Sequence, residues 1–142
     1  MIPVLVNYGC QHEEDILISY DLIGNWKVVS FEDHTSSTRI IRTNDNTWTN
    51  FNNGDITVSF TASSSTQGII SGRNVTNTYS GDFVVDQAGG IVISNMVWTK
   101  INEPEWARLF HAVLEAGSYE VRNGQLVVFC SQGKFSITLE RY

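Results

Sequence analysis

The sequence predicts a mainly β domain of the α+β class: a small antiparallel, curved sheet or barrel of eight or nine strands carrying one amphipathic helix, at about residues 103–116. Three observations lead to this prediction. Segments with apolar residues at every second position recur at spacings of roughly ten residues. Turn sequences rich in Gly and Asn separate them, and the chain has only two prolines. One stretch near the C-terminus changes to the period of a helix.

Length and composition indicate a single globular domain. The chain has 142 residues, of which 42% are hydrophobic and 11% aromatic, so it can form a core of its own. We assign residues 21–142 to this domain and residues 1–20 to an N-terminal tail. The net charge is −6, and the nine basic residues are scattered singly. Because phosphate contacts dominate nucleic-acid affinity, we expect no nucleic-acid partner, and an anionic membrane surface is disfavoured for the same reason.

The first strand is predicted at residues 22–31. Leu22, Trp26 and Val28 share the parity of one strand face, which we expect to lie on the core. The polar stretch that follows, residues 32–46, fits either a long loop or a poorly formed strand.

Two Asn-Gly pairs predict tight turns, because both residue types tolerate positive φ angles. Asn53-Gly54 separates residues 47–51 from residues 55–60, and Asn123-Gly124 separates residues 119–122 from residues 125–130. The remaining strands are expected at residues 68–72, 79–86, 91–97 and 135–140.

The predicted helix has an apolar stripe and matching end signals. Asn102 is expected to be its N-cap, with Glu105 as the capping-box partner and Pro104 in the first turn. Gly117 is expected to end it in the left-handed conformation. The stripe has helical spacing and consists of Trp106, Leu109, Phe110, Val113 and Leu114.

The chain contains no recognisable catalytic or metal-binding pattern. His12, His34 and His111 lie far apart, and none has a second ligand at metal spacing. No nucleophile and base can be paired, and no Gly-x-Ser-x-Gly or phosphate-loop motif is present. We therefore predict a protein that is not an enzyme, with no catalytic residues, no metal and no cofactor.

The N-terminal segment has some features of a lipid-attachment site at Cys10. The apolar run at residues 2–6 is followed by Gly9-Cys10 and then by acidic residues, as at the end of a bacterial lipoprotein signal. Asn7 and Tyr8 depart from the small or Leu-like residues usual there. A tail with an incidental cysteine is the alternative. For Cys130 we favour a half-buried apolar role over a disulfide with Cys10.

Three aromatic residues are candidates for a binding surface. Trp48, Tyr79 and Trp98 fall in or near strand ends and loops, where functional residues concentrate. Packing in the core is the alternative for each of them.

Taken in order, these segments resemble the META domain family of HslJ-like heat-shock proteins. Leu22-x-Gly24-x-Trp26-x-Val28 resembles the opening strand of that family. Gly68-x-x-Ser71-Gly72-x-Asn74 followed by Tyr79-Ser80-Gly81-Asp82-Phe83 resembles its central signature. Arg73 and the region of Ile101-Asn102 stand where the family often has cysteines, and residues 75–78 lengthen the central turn. The resemblance implies a curved, barrel-like sheet covered by one helix, in an envelope protein that is often a lipoprotein and is linked to stress.

We therefore expect a non-catalytic bacterial envelope protein in the periplasm or at the outer membrane. It would be monomeric, would meet the membrane only through the lipid at Cys10, and would bind another envelope protein or support an envelope assembly. The alternative is a lipocalin-like carrier of a small apolar ligand. A barrel interior filled by side chains would separate the two, and we expect five aromatic side chains to fill it: Trp26, Phe60, Phe83, Phe110 and Phe135.

Overall fold

A computed structural model describes residues 21–142 of the chain. Within this range the chain forms nine strands and one short α-helix, α1, at Glu105–Leu109. The strands are β1 (Gly24–Asp33), β2 (Thr38–Ile41), β3 (Ile56–Ala62), β4 (Gln67–Asn74), β5 (Asn77–Val85), β6 (Ile91–Trp98), β7 (Ala116–Arg122), β8 (Gln125–Cys130) and β9 (Phe135–Arg141).

The strands form one antiparallel sheet that curls into a half-barrel. Eight of them follow the order β6-β5-β4-β3-β1-β9-β8-β7 within the described residues, and β2 pairs with β1 off this path. The two outer strands approach each other at one end, where the Tyr119 amide donates to the Gly89 carbonyl at 3.0 Å and Gly90 bridges to Ser118. The predicted curved antiparallel sheet of eight or nine strands is confirmed.

The face of the first strand that lies on the core is the predicted one. Leu22, Trp26 and Val28 are all buried. A β-bulge between Val28 and Ser30 then shifts the register against β9. As a result Ser30 and its neighbour Phe31 are both buried, which simple alternation does not predict.

One of the two Asn-Gly turns is a hairpin turn and the other is not. Asn123-Gly124 joins β7 to β8 with positive φ at both residues, as predicted. Asn53-Gly54 also has positive φ at both residues but lies in a short 3-10 turn, and residues 47–51 form no strand. The buried Thr47 hydroxyl donates to the Gly54 carbonyl at 2.9 Å. This side-chain hydrogen bond satisfies the Gly54 carbonyl locally, so that group needs no hydrogen-bond partner on a neighbouring strand.

The predicted helix exists but changes type part-way. After α1 the chain continues as a 3-10 helix over Phe110–Glu115. The cap is Pro104, without a side-chain cap bond, so the predicted Asn102 cap is wrong; the Asn102 carbonyl instead accepts a bond from Thr76 at 2.9 Å. The prediction for Gly117 is also wrong, because this residue lies in β7 and the 3-10 helix ends before it.

Large side chains fill the space between the concave face of the sheet and the helical segment. Phe31 meets Trp106 edge-on, with ring centroids 4.8 Å apart. Phe60 meets Phe83 in the same way at 5.3 Å. The largest fully buried side chains are Trp26, Trp106, Phe31, Phe60, Phe83 and Phe110; Phe135 is only partly buried against this core. In the part of the chain described here, no helix has the length and apolar character needed to cross a bilayer.

Candidate binding cleft

An open cleft of about 660 Å³ lies at the C-terminal end of β6. We call it the Trp48 cleft. Its walls come from the loop before β3, the start of β5, the chain that leaves β6 and the helical segment. The lining residues are Trp48, Asn77, Trp98, Thr99, Lys100, Ile101, Asn102, Glu103, Arg108 and His111.

Asn77 fixes the segment that forms the floor of the cleft. Its amide oxygen accepts from the Thr99 hydroxyl and from the Ile101 amide, each at 2.8 Å. Its amide nitrogen donates to the Ile101 carbonyl at 2.9 Å and to Glu103 Oε2 at 3.0 Å. Asn77 is itself buried. One side chain thus satisfies groups over residues 99–103 and holds this stretch in place without regular secondary structure.

Glu103 and His111 form a pair among the residues that line the cleft. Glu103 Oε1 lies 2.6 Å from His111 Nε2, and the two side chains are 14% and 42% exposed. The His111 ring also stacks on Trp98, with centroids 4.6 Å apart and planes at 24°. Because Nε2 is engaged by the carboxylate, Nδ1 is the imidazole nitrogen that remains for a ligand.

Tyr79 supports Trp98 from the core side. Its ring lies 5.1 Å from the Trp98 ring and 5.5 Å from the Phe110 ring. Its hydroxyl donates to the Thr57 carbonyl at 2.8 Å. Burial raises the pKa of Tyr79 well above its ordinary value, so the phenol stays a neutral donor. Trp98 is therefore a rigid part of the wall, packed by Tyr79, Phe110 and His111.

Trp48 is the exposed aromatic residue of the cleft. It is 41% exposed and lies beside the 39% exposed Phe51, with ring centroids 6.3 Å apart. The loop that carries it is anchored at its start, where the Asn46 carbonyl accepts the Trp106 amide at 2.8 Å. It is also anchored at its end, where Arg42 meets Asp55 at 3.5 Å.

Two cations border the cleft without a carboxylate partner in residues 21–142. Arg108 donates to the backbone carbonyl of Glu103 at 2.7 Å and makes no ion pair within this range. Lys100 is exposed and likewise makes none there. Among the residues that line the cleft, these two cations face one carboxylate, Glu103, so the lining carries a formal charge of +1, counting Lys, Arg, Asp and Glu, in a chain of net charge −6.

Of the predicted surface residues, Trp48 and Trp98 come together in the cleft. Tyr79 is only 4% exposed and lies beneath Trp98. Cys10 lies outside the described residues, as do the tail at residues 1–20 and any disulfide from Cys10. Cys130 is fully buried and has no disulfide partner within residues 21–142.

Sequence reasoning missed the polar residues of the cleft, namely Asn77, Glu103, Arg108 and His111. One signal was available: Glu103 and His111 are eight residues apart, about two turns of the helix predicted at residues 103–116, which would place them on the same side. Arg108 lies between them on the same segment. No local pattern marks Asn77, because its partners are more than twenty residues away in the chain.

The groups in the cleft are suited to binding. They provide a fixed amide, a carboxylate–imidazole pair, an exposed indole and two cations. Thr99 supplies the one hydroxyl group among the lining residues, and this hydroxyl is already hydrogen-bonded to Asn77. Within residues 21–142 no three His, Cys, Asp or Glu side chains converge as a metal site would require.

Comparison with known proteins finds a solved structure with a similar fold but assigns the chain to no family. No family model matches the chain, and no curated protein matches it. A solved structure of a DUF4847 family protein from Bacteroides vulgatus ATCC 8482 is similar in fold, with a TM-score of 0.58 and 16% identity. The match covers 87% of this chain and 95% of that protein. Membership of the META family stays a prediction.

Proposed function

We propose that this protein is a non-catalytic binding module of the bacterial cell envelope, anchored by a lipid on Cys10, which contacts a partner protein through the Trp48 cleft. The observation that carries the proposal is the combination of exposed Trp48 with Lys100 and Arg108, which form no ion pair in residues 21–142, around a rigid floor. Exposed tryptophan and arginine are the residue types that dominate the energy of protein interfaces.

The rigidity of the cleft supports a binding role. Asn77 and Glu103 hold residues 99–103 through bonds of 2.8 to 3.0 Å. A pre-formed surface loses little conformational entropy when a ligand binds, which favours affinity.

The core supports binding at the surface rather than inside the sheet. A carrier of apolar molecules needs space within its barrel. Here the interior positions are occupied by fully buried side chains such as Trp26, Phe60 and Phe83. The carrier alternative therefore has no observation in its favour.

The envelope location rests on the sequence. An apolar run, then Gly9-Cys10, then acidic residues is the pattern that supports lipid attachment. The resemblance to the META family, whose members are often envelope lipoproteins, supports the same location.

Site-specific photo-cross-linking in the native host tests the interface. A photoreactive amino acid is placed at Trp48 or at Ile101, with Glu120 on the outer strand β7 as the control position. We expect a defined cross-linked partner from both cleft positions and none from Glu120. Equal cross-linking from all three positions, or none from any, would contradict the proposal.

The anchor is tested separately by the intact mass of the protein extracted from host membranes. We expect a diacyl or triacyl increment that is lost, with the membrane association, in Cys10→Ala. An unmodified mass would overturn the lipoprotein part of the proposal and leave the cleft untouched.

A further inference from the structure

We propose that the Trp48 cleft binds an extended acidic peptide, whose backbone pairs with the open edge of β6 and whose carboxylate meets Lys100 and Arg108. This inference rests on the proposed binding function and names the kind of segment that the partner presents.

Charge complementarity points to an acidic ligand. Lys100 and Arg108 make no ion pair with any carboxylate of residues 21–142. The carboxylate closest to them in the cleft, Glu103, is bonded through both oxygens to His111 and Asn77. A ligand carboxylate would therefore meet two cations that have no ion-pair partner in residues 21–142. Its charge-assisted bonds with them are among the stronger hydrogen bonds in proteins.

The edge of the sheet points to an extended peptide. Natural sheets protect their outer strands with charged residues, since an unprotected edge pairs with another chain. At one end of the sheet, β7 carries Glu120 and Arg122. At the other end, β6 has the sequence IVISNMVW, without a charge or a proline. The protecting feature it does have is one bulge between Ser94 and Val97, where Asn95 has a positive φ. Its only strand pairing in the described residues, apart from the Gly90–Ser118 bridge beside it, is with β5.

The exposed half of β6 leads directly into the cleft. Ser94, Asn95 and Val97 are exposed, and Val97 is 71% exposed. The strand ends at Trp98, the first of the residues 98–103 that line the cleft. A peptide added along β6 would consequently run into the Trp48 cleft, as in the β-augmentation mode of recognition.

The rim of the cleft favours a peptide with an apolar residue next to its acidic residue. Ile101 is 57% exposed and Trp48 is 41% exposed, and both line the cleft beside Lys100. We expect the peptide to carry an aromatic or β-branched residue next to its Asp or Glu. A sugar ligand fits less well, because it needs free aromatic faces and the Trp98 ring is already packed by Tyr79, Phe110 and His111.

The test begins with a library of random eight-residue peptides, the length of β6, selected on the full chain. We expect enrichment of Asp or Glu next to aromatic or β-branched residues. One selected peptide is then labelled and titrated. Lys100→Gln and, separately, Arg108→Gln should weaken binding about 5- to 10-fold each, and salt should reduce the difference. Arg39→Gln, which removes an exposed cation outside the cleft, is the control and should leave affinity unchanged.

Backbone pairing is tested on the peptide itself. N-methylation of alternate amides keeps every side chain and removes the donors that a β ladder needs. We expect at least about a 10-fold loss for one of the two alternating sets and little for the other, because only one set faces β6. Loss from neither set would overturn the pairing with β6.

Failure of this inference is distinguishable from failure of the binding proposal. If cross-linking from Trp48 identifies a partner but neutral peptides are selected as readily as acidic ones, the acidic-peptide inference is wrong and the interface stands. Binding of an oligogalacturonate probe in place of peptides would also overturn the inference.

Discussion

Glu103 is the residue that joins the parts of the cleft. Its carboxylate binds His111 at 2.6 Å and Asn77 at 3.0 Å, and its carbonyl accepts Arg108 at 2.7 Å. We expect Glu103→Ala to lower the free energy of unfolding by about 1.5–3 kcal/mol, the cost of hydrogen bonds to a largely shielded charge. Glu105→Ala, which removes an exposed carboxylate two residues later, should cost less than about 1 kcal/mol. Urea unfolding of both variants checks this, and equal losses would contradict it.

Cys130 gives a second prediction at the level of one residue. Burial, assisted by the charge of Glu115, raises the pKa of its thiol to about 12. The thiolate is the reactive form, so at pH 8 alkylation should be at least about 1,000-fold slower than for an exposed thiol. Iodoacetamide labelling of Cys10→Ser, which leaves one cysteine, measures this rate. The same variant in urea should react at the ordinary rate, and fast labelling of the native protein would contradict the burial.

Linkage gives the sign of the pH dependence for the same residue. Its pKa is raised from 9.0 in the unfolded chain to about 12 in the folded one. The folded state therefore binds more protons between these values. The contribution of the buried, neutral Cys130 thiol to folding stability is complete below pH 9 and is lost as the pH rises towards 12. Thermal unfolding should show a steeper fall in Tm above pH 9 for the wild type than for Cys130→Ala.

At the scale of elements, the helical segment shows what periodicity can and cannot predict. The stripe predicted a helix here, and a helix is present. The change from an α-helix to a 3-10 helix at Phe110 shortens the turn to three residues. Phe110 and Val113 consequently align on the core, and Leu114, the last residue of the predicted stripe, is 45% exposed.

This change of helix type is testable by truncation. Phe110→Ala should cost about 3–5 kcal/mol, because it removes a fully buried ring that packs on Tyr79 and Trp98. Leu114→Ala should cost about 0.5 kcal/mol or less, as at an exposed position. A continuous α-helix would make both substitutions costly, so a large loss for Leu114→Ala in urea unfolding would contradict the 3-10 assignment.

The strands were predictable because alternation and Asn-Gly turns are local signals. The hairpin expected at Asn53-Gly54 was not, since the outcome depends on the Thr47 hydroxyl bonding the Gly54 carbonyl across seven residues. The bulge in β1 likewise follows from its pairing with β9, more than a hundred residues away in the chain. The apolar periodicity of a sequence does not report such long-range contacts.

At the scale of the whole molecule, the cleft exists because the sheet curls. Trp48 precedes β3, Asn77 begins β5 and His111 lies on the helical segment, and only the fold brings them together. The sequence allowed Trp48 and Trp98 to be chosen as exposed aromatics near strand ends. For their polar neighbours the only local signal was the eight-residue spacing of Glu103 and His111. No pattern marked Asn77, because its partners are more than twenty residues away in the chain.

The last prediction follows from the packed core, and it distinguishes a protein that binds at its surface from a carrier. With side chains such as Trp26 and Phe83 fully buried inside the sheet, we expect no stoichiometric binding of oleate. Native mass spectrometry after incubation with oleate measures this directly.

Phe83→Ala supplies the matched control. It removes a buried ring that packs on Phe60 at 5.3 Å and should cost about 3–5 kcal/mol. Because apolar cavities of this kind remain dry and admit small apolar molecules, the variant should take up benzene where the wild type does not. If the wild type instead held one oleate, with quenching of its tryptophan fluorescence, the core would have to open in solution, and the carrier function would replace the surface interface.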